Sequence, residues 1–217
     1  VPESVLQGAA EVAADVGAYL AVDVAYRAFH FDGIPSYYSR SPLENEVWIC
    51  SFSKELRIPG WRLAYLVAHP DLVRAVETIE QARMLCAPRI LQEVVAKVLS
   101  NKENLSYLKN FYEQGAKKYK AVAEYAYEKL TEELEKVRAP KPRAGFYVFF
   151  NHEQYVKDSR KFCSDLLTKY QVALAPGVDF HMDGWTRLSF APVVEQPSEI
   201  DEAVSRMKEY ISELTNI

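Results

Sequence analysis

Apolar residues along this chain recur with two periods, and the switches between them divide it into elements. From residue 3 to 17, Val5, Leu6, Ala9, Ala10, Val12, Ala13 and Val16 return at helical spacing, and Gly17 ends the run. Ala18-Tyr19-Leu20-Ala21-Val22-Asp23 is a short apolar run that predicts a buried strand closing on an acid. Residues 30 to 46 are a polar loop carrying Gly33, Pro35 and Pro42. Two further strands are predicted at Val47-Trp48-Ile49-Cys50 and Leu63-Ala64-Tyr65-Leu66-Val67-Ala68. Between them lie Ser51-Phe52-Ser53-Lys54-Glu55-Leu56-Arg57 and a turn at Pro59-Gly60.

The helical period then takes over. His69-Pro70-Asp71 opens a helix, with Asp71 as its expected cap and Leu72, Val73, Val76 and Ile79 as its stripe. Cys86-Ala87-Pro88 breaks it, and Ile90 to Leu99 forms the next. From Lys102 to about Lys136 there is no proline and one glycine, which predicts a long helix able to bridge two domains. After the stiff connector Ala139-Pro140-Lys141-Pro142-Arg143 come a strand at 145–150, a helix at 159–170, strands at 172–175 and 185–191, and a last amphipathic helix from Ser198. The expected division is 1–105 as part of a large domain, 106–136 as a connecting helix and 137–217 as a small α+β domain.

Composition narrows the classes. The 217 residues are 49% hydrophobic, enough for one sizeable core or two small ones. The net charge is -4 with no basic block, so nothing points to nucleic acid, and no apolar run approaches the length of a bilayer span. Cys50, Cys86 and Cys163 are far apart and fit no zinc spacing; they suit a reducing compartment, here the cytoplasm. The start at Val1-Pro2-Glu3 has neither an initiator methionine nor a signal pattern, and a piece of a longer protein is expected.

The chemistry gathers at predicted strand ends. Asp23 ends one strand with Tyr26 just beyond it; Ser51, Ser53 and Lys54 end the next, and Arg62 follows the turn. Asp23 alone also reads as a turn residue, and the stretch from Ser51 to Arg62 as solvated charges between strands. Taken together, an acid to hold a ring nitrogen protonated, an amine to form a Schiff base and an anion clamp are what pyridoxal phosphate requires.

These motifs resemble the pyridoxal-phosphate-dependent aminotransferases of fold type I, the class I/II family that includes aspartate aminotransferases. The resemblance rests on Asp23-x-x-Tyr26, on Ser51-Phe52-Ser53-Lys54 followed by Gly60-x-Arg62, and on Thr186-Arg187-Leu188-Ser189-Phe190-Ala191. It covers essentially the whole chain, which corresponds to the second half of a member. It implies an α/β fold: part of a large domain with a mostly parallel sheet and flanking helices, followed by a small C-terminal domain. It also implies Lys54 as the Schiff-base lysine, Asp23 on the pyridine nitrogen and Tyr26 on the ring oxygen. Ser51 and Arg62 would hold the phosphate, Ser53 would be a further cofactor-binding residue, and Arg187 would fork onto the substrate α-carboxylate. Two positions depart from the family pattern: Arg57, where a small residue and often glycine is usual, and Val24, where many members have an acid.

The implied reaction is transamination between an L-amino acid and a 2-oxo acid, with aspartate-like or broad specificity, in a homodimer when full-length. Arg83 and Arg89 lie where some relatives supply a second cation, and they also read as helix-surface or loop charges. Other chemistries on the same scaffold share Lys54 and Arg187: a β-lyase, a decarboxylase or a synthase. A non-catalytic effector domain is the rival outside enzymes. With only three large-domain strands, the chain is expected to expose sheet edges and one apolar face, and to have little activity alone.

Overall fold

The computed structural model describes residues 1–215. They form two compact units, divided between Gln114 and Gly115.

In the first unit, alternation along one strand decides which way the sheet faces. Strand β2 (Glu46–Ser51) buries Glu46, Trp48 and Cys50 and leaves Val47, Ile49 and Ser51 on the opposite face. It is the centre of a three-stranded sheet with β1 (Leu20–Asp23) and β3 (Ala64–Ala68) at the edges. Val22, Val24, Tyr37, Trp48 and Cys50 make the core on the buried side, with Leu6, Leu20, Tyr38 and Tyr65 packed against it. On the other face Ile49 is 45% exposed, while Val47 and Ser51 are half-buried.

The strands do not all run one way. β1 pairs parallel with β2, from Leu20 opposite Glu46 to Asp23 opposite Ile49. β3 pairs antiparallel with β2, from Val47 opposite Ala68 to Ser51 opposite Ala64. Residues 52–63 hold only helix α2 (Phe52–Glu55) and one 3₁₀ turn (Pro59–Trp61), too little for a crossover, so the chain reverses.

Helix α1 (Glu3–Asp15) stops before Gly17, which takes φ 70°, the left-handed conformation that glycine adopts at low cost. Helix α3 (Pro70–Met84) is capped by His69 and not by Asp71: the Asp71 N–H donates to His69 Nδ1 at 3.4 Å. Pro70 is the reason, because its fixed φ suits the first helical position and places the cap at His69, two residues before Asp71. Asp71 serves instead as a first-turn acid facing the helix dipole. Helix α4 (Arg89–Leu99) follows Pro88, and helix α5 (Lys102–Glu133) is continuous over 32 residues.

The second unit packs helices α6 (Ser159–Tyr170) and α7 (Ser198–Thr215) with a second sheet, ordered β4 (Tyr147–Asn151), β6 (Trp185–Ser189), β5 (Ala175–Pro176), all antiparallel. The expected strand at 172–175 pairs only at Ala175 and Pro176. The chain turns immediately at Gly177, where a Cβ would lie 2.2 Å from the Met182 carbonyl oxygen, so only glycine fits. Val148, Phe150, Phe162, Leu166, Val204 and Met207 are the fully buried centre.

His152 lies inside this core, stacked on Phe162 at 3.9 Å between ring centroids. Its Nδ1 donates to the Val156 carbonyl at 2.8 Å, and its Nε2 lies 2.9 Å from the Thr186 hydroxyl, so both ring nitrogens are partnered. Burial holds its pKa below the ordinary histidine range. Between that lowered value and about 6.5 the unfolded chain binds the extra proton and the folded one does not, so stability rises with pH there. Urea midpoints measured from pH 5 to 7 should climb for this chain, and His152→Gln should flatten the climb. An unchanged slope in the variant would exclude His152 as its source.

Candidate active site

Parallel pairing puts the carboxyl ends of β1 and β2 at the same end of the sheet. The Val24 N–H donates to the Ile49 carbonyl at 2.9 Å, which carries the pairing one residue past Asp23. Asp23 is exposed there, and its Oδ1 accepts from the Ala25 N–H at 2.9 Å. That bond makes Asp23 a turn-forming residue. Tyr26, partly buried, begins the 3₁₀ turn Arg27–Phe29.

At the end of β2, the Ser51 hydroxyl accepts from the Ser53 N–H at 3.2 Å and caps α2. Lys54 is the third residue of that single turn and is partly buried; Ser53 and Glu55 on either side of it are buried. Arg62 ends the following 3₁₀ turn in the left-handed region at φ 52°, exposed, with its Nη1 donating to the Pro59 carbonyl at 2.9 Å.

Arg57 also has a positive φ of 57°. A left-handed residue at this point explains a preference for glycine, and arginine occupies it at a cost of roughly 1–2 kcal/mol. Its guanidinium stacks 4.4 Å above the Phe111 ring, which offsets part of that, about 0.5–1 kcal/mol at an exposed position.

Arg187 belongs to the second unit. It sits on β6 opposite Phe149, with its guanidinium 4.4 Å from the Tyr147 ring centroid and 4.6 Å from that of Phe180. Its Nε is buried and has no hydrogen-bond partner among the described residues. A cation held between two aromatic faces with a buried donor unmatched is poised for an anion that brings its own acceptors. Arg83 and Arg89, by contrast, are exposed and paired within their own helices, with Glu80 at 3.0 Å and Glu93 at 3.2 Å.

The sequence-predicted residues thus divide: Asp23, Tyr26, Ser51, Ser53, Lys54 and Arg62 in the first unit, Arg187 in the second. Two residues escaped the sequence reading, Arg27 and Glu55. Each directly follows a singled-out residue, Tyr26 and Lys54, and they bear opposite charges; that adjacency was the signal available.

The chain belongs to the aminotransferase class I and II family, whose family model matches residues 1–207. It is 31% identical over 168 residues to an aspartate aminotransferase of Thermotoga maritima, a match covering 76% of this chain and 40% of that protein. It is 28% identical over 192 residues to the (5-formylfuran-3-yl)methyl phosphate transaminase of Methanocaldococcus jannaschii, covering 86% and 45%. The crystal structure of an aromatic aminotransferase from Pyrococcus horikoshii shares the fold at a TM-score of 0.84 and 22% identity, over 100% of this chain and 57% of that one. The aspartate aminotransferase structure from T. maritima gives 0.77 at 27% identity, over 97% and 52%. The chain therefore spans about half the length of the curated relatives it matches. The fold is that of the type I pyridoxal-phosphate-dependent transferases, and pyridoxal phosphate is the family's cofactor.

Proposed function

We propose that this chain carries the lysine side of a transaminase site that moves an amino group between an L-amino acid and a 2-oxo acid. The observation that carries the reading is the parallel register of β1 and β2, which brings Asp23 and the Ser51–Lys54 turn out at one end of one sheet. The donor set suits pyridoxal phosphate: a carboxylate, a phenol, hydroxyls, an amine and a guanidinium. When bound, that group supplies an electron sink for negative charge developing at the substrate α-carbon.

The chain's own residues would divide the work. Asp23 would hold the proton on the pyridine nitrogen, and Tyr26 would donate to the ring oxygen. Ser51 and Arg62 would hold the phosphate, with Ser53 a further cofactor-binding residue. Lys54 would link to the cofactor's aldehyde carbon and, once displaced by substrate, take the proton from the α-carbon at its Nζ. Arg187, with its unmatched Nε, would receive the α-carboxylate as a fork. Within the division of the family, residues 1–105 would belong to the cofactor domain, 106–136 to the connecting helix and 137–217 to the small domain.

Specificity is read as aspartate-like or broad, supported by the likeness to an aspartate aminotransferase. The intrahelical partners of Arg83 and Arg89 give no support for either as a second carboxylate clamp. The full-length form is read as a cytoplasmic homodimer; the three free cysteines are in keeping with a reducing compartment. No helix among the described residues is long and apolar enough to cross a membrane. Residues 1–217 alone are expected to be poorly active, a reading in keeping with the exposed Ile49 on the central strand of a three-stranded sheet.

Borohydride reduction of the protein mixed with pyridoxal phosphate, followed by peptide mapping, tests the assignment. The pyridoxyl label should fall on Lys54. A label concentrated on another lysine overturns it, as does an unlabelled Lys54 in a folded full-length protein.

A further inference from the structure

We propose that Arg27 and Glu55 form a positioning clamp that fixes the Lys54 turn against the Asp23–Tyr26 turn. The inference rests on the reading of Lys54 as the cofactor-linked amine. It begins from the size of α2, which is four residues long. A single helical turn has no stability of its own, so its orientation must come from what its side chains grip.

Each end of this turn is gripped. At the front, Ser51 caps it, and the Phe52 N–H donates to the Leu63 carbonyl at 3.2 Å while the Phe52 ring packs 5.0 Å from that of Tyr65. At the back, Glu55 Oε1 accepts from Arg27 Nε at 3.1 Å and Nη2 at 2.8 Å. Arg27 Nη2 also donates to the Tyr65 hydroxyl at 2.7 Å. Arg27 thus joins three separate pieces of chain: the turn after β1, the turn after β2, and β3.

Burial makes the pair obligatory. The Glu55 side chain is 9% exposed and that of Arg27 26%. A carboxylate this deep without its cation would be strongly disfavoured. Among the groups whose charge couples to the pair are the Cys50 thiol and the Tyr65 and Tyr112 phenols. Burial pushes all three upward, with Glu55 adding to the rise, so they stay neutral beside the pair.

What the clamp controls is the placement of an amine relative to an acid, where an error of about 1 Å costs on the order of 10²-fold in rate. Arg27 and Glu55 touch none of the reacting atoms; they act through the backbone of Tyr26 and Lys54.

The test uses the whole chain and two readouts. One is the rate of pyridoxyl labelling at Lys54. The other needs no cofactor: trace acylation by acetic anhydride, with Lys54 scored against the exposed Lys97 of the same molecule. In Glu55→Gln and in Arg27→Met, Lys54 should acylate several-fold faster relative to Lys97, while pyridoxyl labelling should slow by about 10-fold. Arg27→Lys keeps the charge and should fall between. The exchanged pair, Arg27→Glu with Glu55→Arg, should restore both readouts to within about threefold of the parent. Folded single variants with unchanged Lys54 acylation overturn the clamp, as does an exchanged pair that folds without restoring it. If the parent takes no pyridoxyl label at Lys54, the cofactor reading fails while acylation still decides the clamp.

Discussion

In the full-length protein, Lys54→Ala is expected on the proposed function to lower the rate of amino-group transfer by about 10⁴-fold, the largest functional effect of any single substitution within these residues. Two roles disappear together. On the proposed reading the variant would have no amine to attach cofactor, and no base near the substrate α-carbon to take its proton. Lys54→Arg separates charge from chemistry, since guanidinium keeps the positive charge and does not lose a proton near neutral pH. Both variants should therefore fail alike in a half-reaction with a single amino acid, followed by cofactor absorbance. Because α2 is capped by Ser51 and tied down by Glu55, neither variant should shift the thermal midpoint by more than a few degrees. A Lys54→Arg protein within tenfold of the parent rate would sink the assignment.

The second large effect concerns stability and lies at the other end of the same strand. Glu46 opens β2 with no exposed side-chain surface. Its two oxygens accept from Arg40 Nη1 and Nη2, each at 2.8 Å, from the Leu43 N–H at 2.8 Å and from the Tyr37 hydroxyl. Arg40 in turn lies 4.2 Å above the Tyr37 ring and 5.5 Å from that of Trp48. This cluster fastens the polar loop before β2 to the core.

Glu46→Ala strands the donors of all three partner residues at once. Loss of one partner from a buried pair typically costs about 3–5 kcal/mol. Arg40 is one-third exposed and can rehydrate, while the buried Tyr37 hydroxyl cannot, so the lower figure, about 3 kcal/mol, is expected. With a urea slope of about 1–3 kcal/mol/M, the midpoint of the first unit should drop by roughly 1–3 M. Trp48 emission reads it in a chain with Trp61 and Trp185 replaced by phenylalanine.

The pH dependence has a definite sign. Burial raises the Glu46 pKa, but Arg40, Tyr37 and the Leu43 N–H outweigh it and hold the carboxyl below its usual range. Its contribution is present above the unfolded carboxyl pKa, about 4.3, and is lost as pH falls through the lower folded value. A Glu46→Ala chain as stable as its parent at pH 7 would contradict this account.

How much of this was legible beforehand differs by residue. The strand around Trp48, the stop at Gly17, the break at Pro88 and helix α6 follow from local period and punctuation, which the chain states directly. The same is true of the family motifs, because Lys54 is flanked by its own cap and turn. What stayed hidden is non-local. Glu46 looks like a solvated residue before a strand; its burial depends on Arg40 and Tyr37 folding back over it. The Arg27–Glu55 pair spans 28 residues and exists only because β1 and β2 lie side by side. The antiparallel course of β3 turned on how little structure residues 52–63 contain. Arg57 could not be understood until its backbone angle gave the reason for a preference the side chain alone leaves obscure.

Helix α5 has a consequence of its own. Its 32 residues cover about 48 Å at the ordinary helical rise, yet its fully buried positions, Val122, Ala123, Ala126 and Leu130, all fall in the second half. Leu105 and Tyr107, near its start, are 45% and 69% exposed. One continuous set of hydrogen bonds therefore has very unequal support. In deuterated buffer the first turns should exchange their amides by local fraying within seconds to minutes, while those near Leu130 should wait for cooperative opening of the second unit. Read residue by residue, the helix becomes a ruler: the point where slow exchange begins marks how far the second unit's cooperativity reaches along it.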